Sequence, residues 1–428
     1  MVTSDATEYA RRVKAIRLYE AGYGWSAILR EVQRSRAWLA KWLRRYRTLG
    51  WPGLRARSRV PHRVWRRTAP SVVRRILAVR AELAAHQGRR AFSGIGPDVI
   101  QWELVRRRWR KIPSRATIAR ILARAGCTRP PRSPRGARGG EPYPGPRARQ
   151  MGDVHQTDLV GPRYLRGPQG ITRFYSFHSV DVAGHTAAGT QARDKQARTL
   201  CRHLVAAWRQ LGVPALSQLD NEMAATGGGR YPHSLSQVVR LHLLLGIHLV
   251  FIPPGSPGRQ AAVESFNGLW QARVLRRHHC PTLAALRRLD RRFSRFYHYA
   301  KPHRALPHRE HGTRFPGVLR DRLWRQLRHV PAGFRLEAFE ATAGRLRLPL
   351  AKGCVTWIRQ VDTEGRIDVN GRPYFIARRR AGQYVQATLF THRQTLVVKQ
   401  QGRVVKRFRF PIADKLVASL LPSWKQRF

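Results

Sequence analysis

PPGSPGRQAAVESFNGLWQ, Pro253 to Gln271, decides how the rest of the chain reads. It opens with a tight turn, because Pro presets φ and Gly tolerates the left-handed region. A helix is predicted from near Ala261, which puts Glu264 in its first turn. The apolar run Ile247-His-Leu-Val-Phe-Ile252 predicts the strand that delivers the chain to this turn. A carboxylate held between a rigid turn and a helix is well placed to bind a metal. Two more carboxylates stand at predicted strand ends upstream: Asp158, in His-Gln-Thr-Asp-Leu-Val, and Asp220, in Leu-Ser-Gln-Leu-Asp-Asn.

The region around them, residues 151–305, alternates strand and helix patterns. Strands are predicted at Val154–Val160, Phe174–Ala183, His185–Gln191, Leu216–Leu219 and Ile247–Ile252. Helices are predicted at Thr199–Leu211 and Ser234–Leu245. The order βββαβαβ, followed by the helix with Glu264, predicts a mixed sheet flanked by helices.

Thr157-Asp158, Asp220-Asn221 and Pro254-Gly-Ser-Pro257 followed by Val263-Glu264-Ser-Phe-Asn267 carry a resemblance. The region resembles the RNase H-like catalytic core of DDE transposases and retroviral-type integrases, above all the integrase-core transposases of bacterial insertion sequences. The resemblance implies a DNA transposase that cleaves at the 3′ ends of its element and transfers them into target DNA. It implies Asp158, Asp220 and Glu264 as catalytic and metal-binding residues, and two Mg²⁺ (or Mn²⁺) ions as cofactors. There are two departures. Asp220 and Glu264 are separated by 43 residues, more than is usual in that family, and the insertion Thr226-Gly-Gly-Gly-Arg-Tyr-Pro232 accounts for the excess. Gln271 stands where many relatives have Lys or Arg, with Arg273 nearby.

Carboxylates suit this chemistry. Phosphodiester cleavage needs an activated oxygen nucleophile and charge neutralisation at the attacking and leaving oxygens, which two Mg²⁺ ions about 4 Å apart supply. Mg²⁺ takes oxygen ligands and keeps several waters, so few carboxylates suffice. Asp158 is assigned to bridge both ions, Asp220 to one and Glu264 to the other. Without metal, three such carboxylates repel one another and raise one or more pKa values, so a loose metal-free site is expected. Asp153, Asp181, Asp194 and Glu222 are the other acids between Tyr143 and Gln271. Asp153 is an alternative to Asp158, but precedes the strand. Asp181 reads as structural, and Glu222 as a turn or surface residue. His155 and His185 read as structural or DNA-facing.

Lys plus Arg number 82 against 24 Asp plus Glu in 428 residues, a net charge of +58. That excess exceeds what solubility needs and implies a polyanion partner. Double-stranded DNA, both element ends and target, is the expected one. Residues 1–50 read as three helices in a helix-turn-helix pattern. In the third, Leu39, Trp42, Leu43 and Tyr46 form one buried face, and Arg36, Lys41, Arg44, Arg45 and Arg47 occupy the others. These five, with Arg259 and Arg273, are the candidate DNA contacts. Residues 51–69 read as a basic linker. Residues 70–127 read as a second helix-turn-helix-like domain with Val72, Ile76, Val79 and Leu83 on one face, and Ile95, Val99 and Trp102 on another. Residues 128–150 form a Pro/Gly/Arg linker.

Residues 306–338 read as a connector. Six short strand patterns within 339–412 predict a small β-barrel, and 413–428 is a basic tail. The expected fold class is therefore multidomain α + α/β + β. The four cysteines are far apart and form no CxxC, which argues against a disulfide framework or structural zinc. No apolar run reaches membrane-spanning length, and the expected location is the bacterial cytoplasm, on the nucleoid. Homo-oligomerisation on DNA follows from the resemblance, and an accessory ATPase is compatible with it. Two competing functions stay open at this level: a non-catalytic, domesticated DNA-binding regulator, and a related Mg²⁺-dependent nuclease.

Overall fold

The computed structural model describes residues 5–56, 68–86, 90–128, 143–221, 234–256, 258–306, 315–341, 345–346 and 348–412. The 226–232 insertion, Glu222, the 413–428 tail and most of the 128–150 linker lie outside the described residues. The chain divides into two compact units, 1–70 and 71–428.

The first unit contains α1 (Asp5–Glu20), α2 (Trp25–Val32) and α3 (Arg36–Leu49). Ile16, Ile28, Val32, Leu39, Trp42, Leu43 and Leu54 meet in its core. Ser35 caps α3 by accepting the Trp38 N–H at 3.3 Å. Gly50, at φ 62°, closes it by donating its N–H to the Tyr46 carbonyl.

The second unit opens with α4 (Pro70–Ala84), α5 (Pro97–Arg106) and α6 (Arg115–Arg124), packed around Ile76, Val79, Ile100, Leu104, Ile118 and Leu122. Ser114 caps α6 through the Thr117 N–H. The buried face of α5 differs from the one expected. It is Ile100, Glu103 and Leu104, while Ile95 is exposed and Trp102 packs edge-on against Phe315. Pro97 starts the helix two residues after Ile95, so Ile95 never joins the helical face. Glu103 can be buried because Arg106 and Arg107 hold its carboxylate at 2.7 and 2.9 Å.

The central sheet follows. β1 (Val154–Gly167), β2 (Gly170–Asp181) and β3 (Ala187–Ala192) form an antiparallel meander. After α7 (Ala197–Leu211), β4 (Leu216–Leu219) pairs parallel to β1. After α8 (Gln237–Leu244), β5 (His248–Phe251) pairs parallel to β4. α9 (Ala261–Trp270) carries Glu264, and α10 (Leu283–Tyr299) and α11 (Pro316–Leu323) follow. The mixed sheet expected from the βββαβαβ pattern is present.

The C-terminal strands differ from expectation. β6 (Glu340–Ala341) and β7 (Arg345–Leu346) form a small hairpin, as do β9 (Arg366–Val369) and β10 (Arg372–Phe375). β8 (Cys354–Gln360), β11 (Tyr384–Phe390), β12 (Thr395–Gln400) and β13 (Arg403–Arg409) extend the central sheet instead. β8 lies parallel to β5, giving one nine-stranded sheet in the order β13-β12-β11-β8-β5-β4-β1-β2-β3. The expected small barrel is therefore corrected: among the described residues its main strands belong to the sheet that carries the carboxylates. The physical reason is the free edge of β5, whose backbone groups need partners. Side chains continue across the seam, with Trp357 stacked on Phe251 at 5.8 Å and His248 hydrogen-bonded to Thr356 at 2.8 Å. Leu249, Phe251, Val355, Trp357, Ala387 and Leu396 share one core. Trp357→Ala should cost about 3–5 kcal/mol, measured by denaturant unfolding. A loss below about 1 kcal/mol would show that the seam adds little to stability.

Candidate active site at the ends of the central strands

Asp158 lies within β1, Asp220 directly follows β4, and Glu264 sits in the first turn of α9. Asp158 is half-buried, and the other two are exposed. The three are electrostatically in touch. Burial raises the Asp158 pKa most, and the charges of Asp220 and Glu264 raise it further. The Leu159 N–H and the Asn267 amide pull it back. The direction is the one expected, but burial is a larger cause than repulsion.

Amides fasten the three elements together. Gln156 Oε1 accepts from the N–H groups of Ala262 and Val263, at 3.1 and 3.3 Å. These are first-turn donors of α9 that have no partner within the helix. Gln156 Nε2 donates to Gln218 Oε1 at 3.2 Å, and Gln218 Nε2 donates to the Arg259 carbonyl at 2.8 Å. With its amide turned to satisfy both neighbours, Gln260 donates to the Thr157 carbonyl and accepts from the Asp220 N–H, each at 3.1 Å. Asn267 Nδ2 donates to Asp158 Oδ2 at 2.8 Å, while its Oδ1 meets His178 Nδ1 at 2.6 Å. His178 is fully buried and its pKa is lowered, chiefly by burial. A neutral His178 that donates from Nδ1 orients the Asn267 amide toward Asp158.

Sequence reasoning passed over Gln156, Gln218, Gln260 and His178. The available signal was polar residues inside strands, as in Val154-His-Gln-Thr-Asp158.

The competing acids have structural roles. Asp153 accepts from the backbone N–H groups of Arg149 and Gln150 at 2.8 and 3.0 Å. Asp181 is buried and accepts from Gly152 and Gly184 at 2.7 and 2.5 Å, with His155 3.3 Å away. Asp194 accepts from Thr199 Oγ1 and from the Gln196 N–H at the start of α7. His185 stacks on His303.

Among the described residues, no three His, Cys, Asp or Glu side chains are gathered closely enough to hold a metal ion. Glu264 Oε1 is instead engaged by the Gly258 N–H at 2.9 Å. The donor set nonetheless fits a hard cation: three carboxylates, coupled through charge, with neutral amides around them.

The expected DNA contacts divide. In the first unit Arg36, Lys41, Arg44 and Arg47 are exposed on α3, with Arg36 over Trp25, Lys41 over Trp42 and Arg47 over Tyr19, while the half-buried Arg45 lies over the Trp42 ring and donates to the Arg55 carbonyl. In the second unit Arg259 stacks on the rings of Tyr143 and Tyr384, at 4.1 and 5.4 Å. Arg273 is half-buried and donates to the Phe92 carbonyl at 2.6 Å. Burial, with Arg277 alongside, lowers its pKa to about 10. Both guanidiniums are thus engaged within the protein. Beside Gln271 the cation is Arg163 of β1, whose Nη2 donates to Gln271 Oε1 at 2.8 Å.

Residues 245–309, from β5 through α10, match the family model for an integrase core domain. Residues 6–55 match a homeodomain-like domain, which accords with the helix-turn-helix of the first unit. The integrase-core match contains Glu264 but stops short of Asp158 and Asp220. No curated protein matches the chain. Among solved structures, it is similar to the simian T-cell lymphotropic virus intasome in complex with the PP2A regulatory subunit B56 gamma. That match has 15% identity over 73% of this chain and 93% of that one, with a TM-score of 0.32. The HTLV-2 integrase catalytic core in complex with magnesium is 15% identical over 43% of this chain and 100% of that one, with a TM-score of 0.29. The BIV integrase catalytic core is 14% identical over 41% and 97%, with a TM-score of 0.30. Superpositions this loose transfer nothing to individual residues here. Among the described residues no helix is long and apolar enough to cross a membrane.

Asp158 has a raised pKa in the fold, so it binds a proton more readily folded than unfolded. Its share of stability is fully present below the unfolded pKa and is lost as pH rises through the folded one. Asp158→Asn should therefore raise the melting temperature of the metal-free protein at neutral pH, and the gain should shrink as acidification protonates the wild-type carboxyl. A neutral-pH melting temperature at or below wild type would contradict this. Replacing Arg36 and Arg44 together with Ala should lower the slope of log affinity against log salt for duplex DNA by about 2, if each side chain neutralises one phosphate. An unchanged slope would remove that face of α3 from the DNA contact.

Proposed function

We propose that this chain is a DNA transposase that binds the ends of its element, cleaves at their 3′ ends and transfers them into target DNA. The observation that carries this is the charge of Asp220 and Glu264 acting on Asp158, from the end of β4 and the start of α9 onto a carboxylate within β1. The integrase-core match around Glu264 supports it.

Asp158, Asp220 and Glu264 would hold two Mg²⁺ or Mn²⁺ ions. Bound there, the ions would supply charge neutralisation at the attacking and leaving oxygens. Gln156, Gln218 and Gln260 hold the three carboxylate-bearing elements in register, and Asn267 keeps Asp158 oriented. In cleavage, a water oxygen bonds to phosphorus and the bond to the 3′ oxygen breaks; a proton from the water ends on the leaving 3′ oxygen, which leaves a 3′-hydroxyl and a 5′-phosphate. The freed 3′-hydroxyl then attacks a target phosphodiester. One phosphodiester forms as another breaks, so transfer needs no high-energy cofactor and no covalent protein–DNA intermediate. The exposed cations of α3 and the overall charge of +58 bind the DNA backbone. Two ends must be joined to one target, which calls for a homo-oligomer on DNA.

The test is strand transfer by purified protein on the DNA flanking its own gene, with Mg²⁺ or Mn²⁺. Glu264→Gln, nearly constant in shape, should abolish joined products by about 100-fold or more while end binding persists. Tight end binding with no cleavage by wild type, even with cell extract added, would favour a regulator. Cleavage without joining would favour a nuclease.

A further inference from the structure

Arg359 of β8 is 6% exposed. A buried cation is costly unless its donors are satisfied, and burial lowers this guanidinium's pKa to about 10, with Asp368 opposing. Its four donated hydrogen bonds all go to neutral oxygens. Nε donates to the Asp368 carbonyl at 2.7 Å, and Nη1 to the carbonyls of Ile252 and Ile358 at 3.2 and 2.9 Å. Nη2 donates to Asn221 Oδ1 at 2.7 Å. The other end of the Asn221 amide, Nδ2, donates to the same Ile252 carbonyl. Arg359, Asn221 and Ile252 therefore close a ring of hydrogen bonds.

The position of this ring gives it meaning. Asn221 directly follows Asp220, and Ile252 directly precedes the turn that leads to Glu264. The Ile252 N–H already donates to the Leu219 carbonyl at 3.0 Å. One guanidinium from the C-terminal strands thus fastens the ends of β4 and β5 at the points where the chain departs toward two of the three carboxylates. A planar fork with several fixed donors suits this task, and a lysine ammonium cannot reproduce it.

We propose that Arg359 is a positioning residue of the carboxylate site: through Asn221 and Ile252 it sets the spacing between Asp220 and the turn before Glu264, which makes the C-terminal strands a working part of that site. This rests on the metal-dependent function proposed above.

The experiment compares full-length wild type, Arg359→Lys and Asn221→Ala, and titrates Mn²⁺ in each. Three quantities are read. They are the melting temperature as a function of Mn²⁺, hydrogen–deuterium exchange at the β4 and β5 ends against the β12–β13 hairpin, and end cleavage as a function of Mn²⁺. In both variants the Mn²⁺ midpoint should rise about tenfold or more, in the melting and the cleavage titrations alike. Cleavage at saturating Mn²⁺ should recover toward wild type. Exchange should quicken at Leu219–Asn221 and Ile252 and stay unchanged in the hairpin. A folded Arg359→Lys with the wild-type midpoint would overturn the proposal, as would exchange that quickens equally across the sheet. If Arg359→Lys fails to fold, Asn221→Ala decides, because it leaves the guanidinium in place. An unchanged midpoint there overturns the proposal. A wild type that neither responds to Mn²⁺ nor cleaves overturns the function itself and this proposal with it, and that failure is recognised because it lies in the wild type.

Discussion

Carboxylates that approach one another in a half-buried site repel, so something other than their own attraction must hold their supports together. Here the supports are a strand, a strand end and a helix start, joined by uncharged amides. Gln156 satisfies the first-turn N–H groups of α9 from β1, and Gln260 links the backbones of Thr157 and Asp220. Neutral amides suit this work. They donate and accept at once, and they add no net charge to a site where another negative group would add to the repulsion.

The same constraint explains the polar character of the central strands. β1 and β2 carry His155, Gln156, Thr157, Ser176, His178 and Ser179, all buried. Each face of the sheet has its own network. Thr157, Ser179, His203 and Thr190 run beneath one face, and Ser176, His178, Asn267 and Asp158 run along the other. Fully satisfied networks of this kind rigidify a core, whereas a single missing partner is costly. The surrounding apolar mass, from Trp208 and Phe251 to Trp357, excludes water from these bonds.

Much of the site was legible in advance because it depends on short-range chemistry. The Pro/Gly turn before Ala261, the helix start that places Glu264 in its first turn, and the strand that ends just before Asp220 all follow from local propensity. The same short-range chemistry has Ser35 and Ser114 cap α3 and α6. The reading of α5 failed where local and tertiary signals part. A buried Glu103 looks like surface until its arginines are placed around it. Arg259 and Arg273 read as candidate DNA contacts from their place in the chain, and only the fold shows the aromatic rings and the carbonyl that also engage them.

The sequence by itself determined the strand–helix order of the core, Asp220 and Glu264 at their element boundaries and the strongly basic character that calls for a polyanion. Each of these is a property of neighbouring residues or of composition. Asp158, expected at a strand end, lies inside β1, which runs on to Gly167. Only the tertiary structure decided that β8 pairs with β5, that the C-terminal strands extend the central sheet rather than close a barrel, and that Gln156, Gln260, His178 and Arg359 bond to the elements around the three carboxylates. Strand edges are alike to one another in sequence, and an amide or guanidinium reveals its partner only in space. Between Asn221 and Arg359 lie 137 residues of chain that carry no local mark of the hydrogen bond joining them.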